Sequence, residues 1–304
     1  MKVLVTGGAG YIGSHVVLEL LDQGFDVSVL DDLSMGAREN VDERAEFFLG
    51  SILNPEDNAK ALEGVDAVIH MAAFKAAGES VENPEKYEKN NVGGTLTLLG
   101  SMLDHGIHRF VFSSSAAVYG DPQYLPVDEK HPVVPINPYG QTKLDNEYLF
   151  EKYSNLGVSI IGLRYFNIFG KGQTLAYSGV ITKFLDRISK SDSPVIFGDG
   201  SQIRDFIFVG DVVKANLAAM ENKSGNFLIN IGSGKAISIL QLANMMIDSS
   251  GLSLQVTFQE PLEGDVRKSH ANIDLANKLL KWEPKMELKT WLDKKISDGV
   301  YDDV

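Results

Sequence analysis

The 304-residue sequence contains no cysteine. Disulfide bridges and thiolate metal sites are therefore excluded. Its six histidines are scattered without metal-ligand spacing. Positive charge is also scarce: 28 Lys and Arg stand against 41 Asp and Glu, a formal net charge of −13. With no basic run, non-specific nucleic-acid binding is not expected. An anionic ligand must instead be held locally, by helix N-termini and single cations. Apolar runs stop far below the ~20 residues that cross a bilayer. Met1-Lys2 leads directly into a strand-like run, which fits no signal peptide, so a cytoplasmic protein is expected. Internal repeats and low-complexity segments are also missing.

The remaining composition is that of a globular protein, with 44% hydrophobic and 23% charged residues. The length suits one large or two modest domains with a sizeable core. Residues 2–6 read as a buried strand, followed by a helix to about Gln23 that Gly24 ends. Between them lies Gly7-Gly8-Ala9-Gly10-Tyr11-Ile12-Gly13. Its G-x-G-x-x-G spacing, between a strand and a helix, is a dinucleotide-binding pattern. The glycines allow a tight turn and close backbone approach to a pyrophosphate, which the helix N-terminus faces. Strand 26–30 ends in Asp31-Asp32, about 20 residues on, where an acid bonds ribose hydroxyls and repels a 2′-phosphate. NAD is the expected cofactor.

Further strands are expected at 46–49, 66–70, 109–113 and 158–163, with helices at 84–105 and from Pro138. Strand and helix alternate, which predicts a parallel, doubly wound (Rossmann) α/β sheet. Ligands then bind at the carboxyl ends of the strands. Those ends carry the glycine run, Asp31, Asp32, Leu33 and Ser34, then Ser51 and Ile52, then Met71, Ala72, Ala73 and Lys75, and finally Ser113, Ser114 and Ser115. Past residue 168 the pattern loosens. Helices are expected at 179–189, 211–221, 238–250, 273–280 and 288–296, with short strands near 195–197, 206–209 and 227–231. The division expected is a cofactor domain over 1–167, rejoined by about 206–232, and a smaller C-terminal α/β substrate domain over 168–304.

The chemistry concentrates in residues 113–143. Tyr139 and Lys143, spaced i, i+4, share one helix face. A free phenol titrates near pH ~10. An ammonium one turn away is expected to stabilise the phenolate and lower that pKa. A nearby serine hydroxyl can hold a substrate oxygen and relay its proton. Such a set suits removal of a proton from an alcohol while its carbon gives up hydride.

The glycine run, residues 113–120, Tyr139-Gly140-Gln141-Thr142-Lys143 and Arg164-Tyr165-Phe166-Asn167 resemble the extended short-chain dehydrogenase/reductases along essentially the whole chain. Residues 75–81, 90–95 and 198–206 are similar, more narrowly, to the UDP-glucose 4-epimerases. The resemblance implies Ser115, Tyr139 and Lys143 as catalytic residues. It puts Tyr11 and Ile12 over the NAD pyrophosphate, with Lys75 and Asn90 also touching the cofactor and Phe166 near the nicotinamide. Asn167 and Arg204 match diphosphate-binding positions, Val195 and Phe197 positions around uracil, and Asp265 one near the uridine ribose. Val180, Lys75, Ser115 and Tyr139 complete the implied substrate set.

Three departures stand out. Ser51 replaces an aspartate that contacts adenine. Leu262 replaces a diphosphate-binding arginine, a contact that is then missing or supplied by Arg267 or Lys268. Ser269 replaces a large aromatic residue, which leaves room for a 2-acetamido group. The implied activity is NAD-dependent 4-epimerisation of a UDP-hexose, plain or N-acetylated, by a homodimer. A 4,6-dehydratase is disfavoured because Ala116 and Ala117 cannot transfer protons, and a uronic acid epimerase because no extra cation is evident. The alternative of another class is a non-catalytic NAD-binding regulatory module, against which the intact Ser/Tyr/Lys set argues.

Overall fold

The structure is a computed structural model of the chain that describes residues 1–173, 179–222, 225–261 and 266–298. Its first part alternates β1 (Lys2–Thr6), α1 (Tyr11–Asp22), β2 (Asp26–Asp31), β3 (Glu46–Leu49), α2 (Pro55–Ala61) and β4 (Ala67–His70). There follow α3 (Ala77–Glu82), α4 (Pro84–Tyr87), α5 (Gly94–Asp104), β5 (Arg109–Ser115), α6 (Pro138–Asn155) and β6 (Ser159–Tyr165). The rest comprises β7 (Asn167–Phe169), α7 (Val180–Ser189), β8 (Val195–Phe197), β9 (Ile203–Phe208), α8 (Val209–Glu221) and β10 (Phe227–Ile231). The last elements are β11 (Ala236–Ser238), α9 (Ile239–Ser250), β12 (Thr257–Gln259), α10 (Asp274–Leu280) and α11 (Leu288–Ser297).

Seven strands form one sheet in the order β10-β6-β5-β4-β1-β2-β3, all paired in parallel. The central strands are apolar on both faces because helices cover both. Val16, Val17 and Leu20 of α1 pack with Val212 and Leu217 of α8 on one face. Leu98, Leu99 and Met102 of α5 pack with Phe150 and Tyr153 of α6 on the other. From β1 the chain winds outward through β2 and β3, then returns to β4 on the other side of β1. That reversal opens a crevice at the carboxyl ends of β1 and β4, the ligand position in such folds.

A three-stranded sheet (β11-β9-β7) and a two-stranded one (β12-β8) lie beyond. Helices α7, α9 and α11 bury Phe184, Leu185, Leu242, Met246 and Leu292 around them. Strand β10 joins the main sheet, but β9 pairs with β7 and β11 and does not. Helix α8, which follows β9 directly, packs back onto α1.

The short elements α3, β7, β11 and β12 add to the expected elements, and two further features differ from them. Helix α2 has no counterpart among them, although Asn54 caps it by accepting from Glu56 N and Pro55 opens it. The single helix expected over 84–105 is broken by a π turn at Glu88–Gly93 between α4 and α5. Such wide turns cluster at functional sites, and this one carries Asn90 and Asn91. No helix among the described residues is long and apolar enough to cross a membrane.

Candidate active site

The turn from β1 into α1 is shaped by backbone contact. Gly7 has φ +71°, and a Cβ there would meet Ala72 N at 2.7 Å. A Cβ on Gly13 would stand 2.1 Å from Gly7 O, so α1 packs on the loop only with glycine at that position. No side chain caps α1 at Gly10. The N–H groups of its first turn lack intrahelical partners. Gly10, Tyr11, Ile12 and Gly13 line a cleft of about 190 Å³, so those donors are available to an anion there.

Asp31, at the end of β2, closes the far side. Its two carboxylate oxygens accept from Ala9 N (2.9 Å) and Leu33 N (2.8 Å), which hold it in one pose. Burial pushes its pKa up, against the pull of those two bonds. A glycine cradle, open helix N–H groups and a buried acid fit a dinucleotide with a free 2′-hydroxyl. NAD therefore fits the residues present.

Of the residues expected around the cofactor, Gly7, Asp32, Ser34, Ser51 and Ile52 also line this cleft. So do Met71, Ala72, Ala73, Lys75, Asn90, Ser113, Tyr139 and Lys143. Leu33 does not. It turns at φ +59°, and its side chain packs against the core. Phe166 does not either; successive strand-end residues face opposite ways, and it opens on the neighbouring substrate cavity. Sequence reasoning missed Gly36 and Asn40. Asn40 Nδ2 donates to Ala9 O at 2.9 Å, and a Cβ on Gly36 would meet Ala9 C at 2.5 Å. These two brace the glycine turn from outside it, and their signal was a lone glycine in a polar stretch.

Helix α6 begins where its sequence signals: Pro138 sits in the first turn, and Asn137 caps it by accepting from Gly140 N at 2.9 Å. Gly140 lets that end abut the turn after β5, where a Cβ would meet Ala117 O at 2.7 Å. Tyr139, Lys143 and Ser113 therefore share one wall of the cleft. Lys143 Nζ donates to Ser113 O at 2.6 Å and stands 4.9 Å from the centre of the Phe112 ring. Burial lowers the Lys143 pKa to about 7.

The expected lowering of the Tyr139 pKa is not observed. Burial raises it, and only hydrogen bonding to Ser115 works the other way. The lysine Nζ stands 5.9 Å from the centre of the phenol ring. Desolvation of a phenolate outweighs an ammonium that is itself partly discharged near neutral pH.

Two buried residues steady this wall. His70, at the end of β4, contacts Thr6 Oγ1 through Nδ1 (2.6 Å) and Thr95 Oγ1 through Nε2 (2.9 Å). Thr95 donates onward to Asn91 O, so Nε2 carries the ring proton and Nδ1 accepts. Burial, with the nearby Lys143 charge, drops the His70 pKa to about 3, so the ring is neutral. Asn91 pairs with both Phe74 N and Phe74 O, at 2.9 and 3.0 Å. Its Nδ2 also donates to Thr142 Oγ1 at 3.1 Å. The π turn thus ties the Lys75 loop to α6 beside Lys143.

The substrate side is a cavity of about 620 Å³ bounded by β7, α7, β8 and β9. Lys75, Ser115, Tyr139, Asn167 and Val180 line it, with Val195, Phe197 and Arg204 on its far wall. A side chamber of about 240 Å³ continues past Ser115 and Tyr139 to Gly120, Lys268 and Ser269. Arg267 does not line it; its N–H donates to Asp121 at 3.2 Å. Asp205 holds the strand beside Arg204, its carboxylate accepting from Ser233 N, Gly234 N and Ala271 N at 2.6 to 3.1 Å. Asp265 and Leu262 lie outside the described residues.

The profile of the NAD dependent epimerase/dehydratase family matches residues 3–232. A putative UDP-glucose 4-epimerase from Methanocaldococcus jannaschii is 42% identical over 291 residues, 94% of each chain. The crystal structure of a UDP-glucose 4-epimerase from Thermotoga maritima with UDP-glucose superposes with a TM-score of 0.94 at 36% identity, covering 98% of both chains. A UDP-N-acetylglucosamine 4-epimerase from Methanobrevibacter ruminantium, in complex with UDP-N-acetylmuramic acid, gives 0.91 at 33% identity over 97% of both chains. With a glycine-cradled cleft for NAD, a Tyr/Lys pair on its wall and this likeness along its length, the chain belongs to the NAD-dependent epimerase/dehydratase family.

Proposed function

We propose that the protein epimerises a UDP-hexose at C4, with Ser115, Tyr139 and Lys143 as catalytic residues. The observation that carries this reading is Tyr139, which borders the cofactor cleft and the substrate cavity at once. NAD, when bound, would supply the acceptor for the C4 hydride and its source when the hydride returns to the other face of that carbon. Tyr139 takes the proton of the 4-hydroxyl and later gives it back. Ser115 bridges the phenol and the sugar oxygen. Lys143, fixed on Ser113 O, favours the phenolate when charged. The cavity walls let the oxidised sugar turn over between the two transfers.

Tyr11, Ile12, Asp31, Lys75 and Asn90 hold NAD, and Asp31 favours it over the 2′-phosphorylated form. Asn167 and Arg204 bind the diphosphate, while Val195 and Phe197 flank the base. Ser269, beside the side chamber, leaves room for an N-acetyl group, and the N-acetylhexosamine activity of a relative of similar fold supports that substrate. Residues 1–167 with β10 form the cofactor unit, and the remainder forms most of the substrate unit. Helices α5 and α6 pair across a two-fold axis in a homodimer; Tyr148 on α6 is 65% exposed, an apolar ring available for burial.

Replacing Tyr139 with Phe tests the mechanism. Turnover of UDP-hexose is expected to fall by ~10³-fold, with NAD still bound. A Tyr139→Phe enzyme that keeps most of its activity would overturn the mechanism.

A further inference from the structure

Three successive turns of α6 meet three successive residues of β5. Tyr139 reaches Ser115, Lys143 donates to the carbonyl of Ser113, and Glu147 accepts from the hydroxyl of Ser114 at 2.6 Å. The first two rungs carry the proposed chemistry. In the third, Ser114 borders both the cofactor cleft and the substrate cavity while Glu147 lines neither, yet this rung is the most elaborate. Glu147 Oε1 and Oε2 also accept from Arg164 Nε and Nη2, at 2.9 and 2.7 Å. Both side chains are almost inaccessible, at 2% and 4% exposure. Arg164 stands on β6 directly opposite Ser114. Its Nη1 donates at 2.8 Å to Tyr119, whose hydroxyl donates in turn to Asn230 at 2.7 Å.

A fully enclosed ion pair is a poor stabilising device, because desolvation of both charges cancels most of their attraction. Its position offers another use. Glu147 lies one helical turn from Lys143, and at that spacing side chains are neighbours. We propose that Glu147 is a positioning residue for Lys143: it keeps the catalytic ammonium charged and, through Ser114, holds α6 in register with the serines of β5. This inference rests on the reading of Lys143 given above.

The groups facing Lys143 support the assignment. From β4, His70 is neutral and contributes no counter-charge. From β5, Phe112 offers a ring face and Ser113 a carbonyl. From its own helix, Tyr139 carries a phenol. Across the cleft, Lys75 is a second cation and Asp31 the acid at the opposite end. Arg164, on β6, is committed to Glu147. Burial lowers the Lys143 pKa, and Glu147 is the counter-charge that opposes it. Without that carboxylate the ammonium would be lost at a lower pH.

The test is Glu147→Gln, which keeps an acceptor for Ser114 but removes the charge. In protein carrying 13Cε-lysine, the Lys143 signal, assigned by its loss in Lys143→Met, is titrated without substrate. The midpoint is expected to move down by about 1 pH unit or more. The alkaline limb of kcat against pH is expected to move with it, while KM for the UDP-hexose changes less than about twofold. Glu147→Asp, which restores the charge on a shorter arm, is expected to recover part of the shift. If Lys143 titrates at the same pH in wild type and Glu147→Gln, the proposal is overturned, even when the variant is less stable. The NMR titration needs no assumption about the reaction. Absence of UDP-hexose turnover in the wild-type enzyme would instead count against the proposed function alone.

Discussion

The cavity has two walls of different construction. The wall made by β1, β2, β4 and β5 is set by backbone: parallel strands hydrogen-bonded along their length, and a glycine turn so close that a Cβ on Gly13 would meet Gly7 O at 2.1 Å. The opposite wall, from β7, β8 and β9, rests on two three-residue strands and one of six and on side-chain anchors such as Asp205. Backbone contacts are intolerant of any change in residue volume, whereas side-chain contacts can be exchanged one at a time. The first wall therefore suits a ligand that never varies, and the second a substrate that does.

That contrast can be broken most severely at Gly13. Gly13→Ala places a carbon against backbone that cannot retreat, and overpacking of this kind costs ~1–3 kcal/mol or more. A lowered Tm and loss of co-purifying NAD are expected. Retention of NAD with an unchanged Tm would show the backbone wall to be more compliant than its contacts imply. On the opposite wall, Arg204→Gln would remove the charge-assisted contact proposed for the diphosphate, of a kind worth ~1.5–3 kcal/mol. The KM for UDP-hexose is expected to rise about 10- to 100-fold while NAD content is unchanged. A loss of NAD in this variant would mean that the walls are not independent.

The backbone wall should also carry the acid sensitivity. His70 is held neutral, with a pKa near 3 against an ordinary 6.5. Between those values the unfolded chain binds a proton that the native chain refuses. Its contribution to stability is full above about pH 6.5 and is lost as the pH falls toward 3. Urea midpoints measured across that range should fall more steeply in wild type than in His70→Gln. The smallest effect is expected at Ser269. Ser269→Tyr should narrow the side chamber and lower kcat/KM for UDP-N-acetylhexosamine by ~10-fold relative to the plain hexose. Equal loss for both sugars would remove Ser269 from the specificity argument.

Much of this site was legible in the residues. The glycine spacing, Asp31 and the Tyr139/Lys143 interval are local patterns, and the alternation of strand and helix dictates that they meet at the strand ends. Helix α2 escaped notice although Asn54-Pro55 signals its start. Its seven residues are too few for a clear apolar period. The π turn escaped because propensity cannot distinguish it from a plain helix over 84–105. The direction of the Tyr139 pKa is illegible in the sequence for a different reason: the lysine is visible one turn away, but the desolvation of both groups is not.

The order of elements, the cofactor class and the candidate proton-transfer residues were written in the chain itself, because each depends on periods and spacings of a few residues. Packing alone decided how those residues are charged and braced. Glu147 meets Arg164 and Ser114 across 17 and 33 positions, and Asn91 meets Phe74 across 17. No local pattern encodes such meetings. They exist only once the helices have closed over the sheet and excluded water, and the same exclusion sets the protonation of Lys143, Tyr139 and His70.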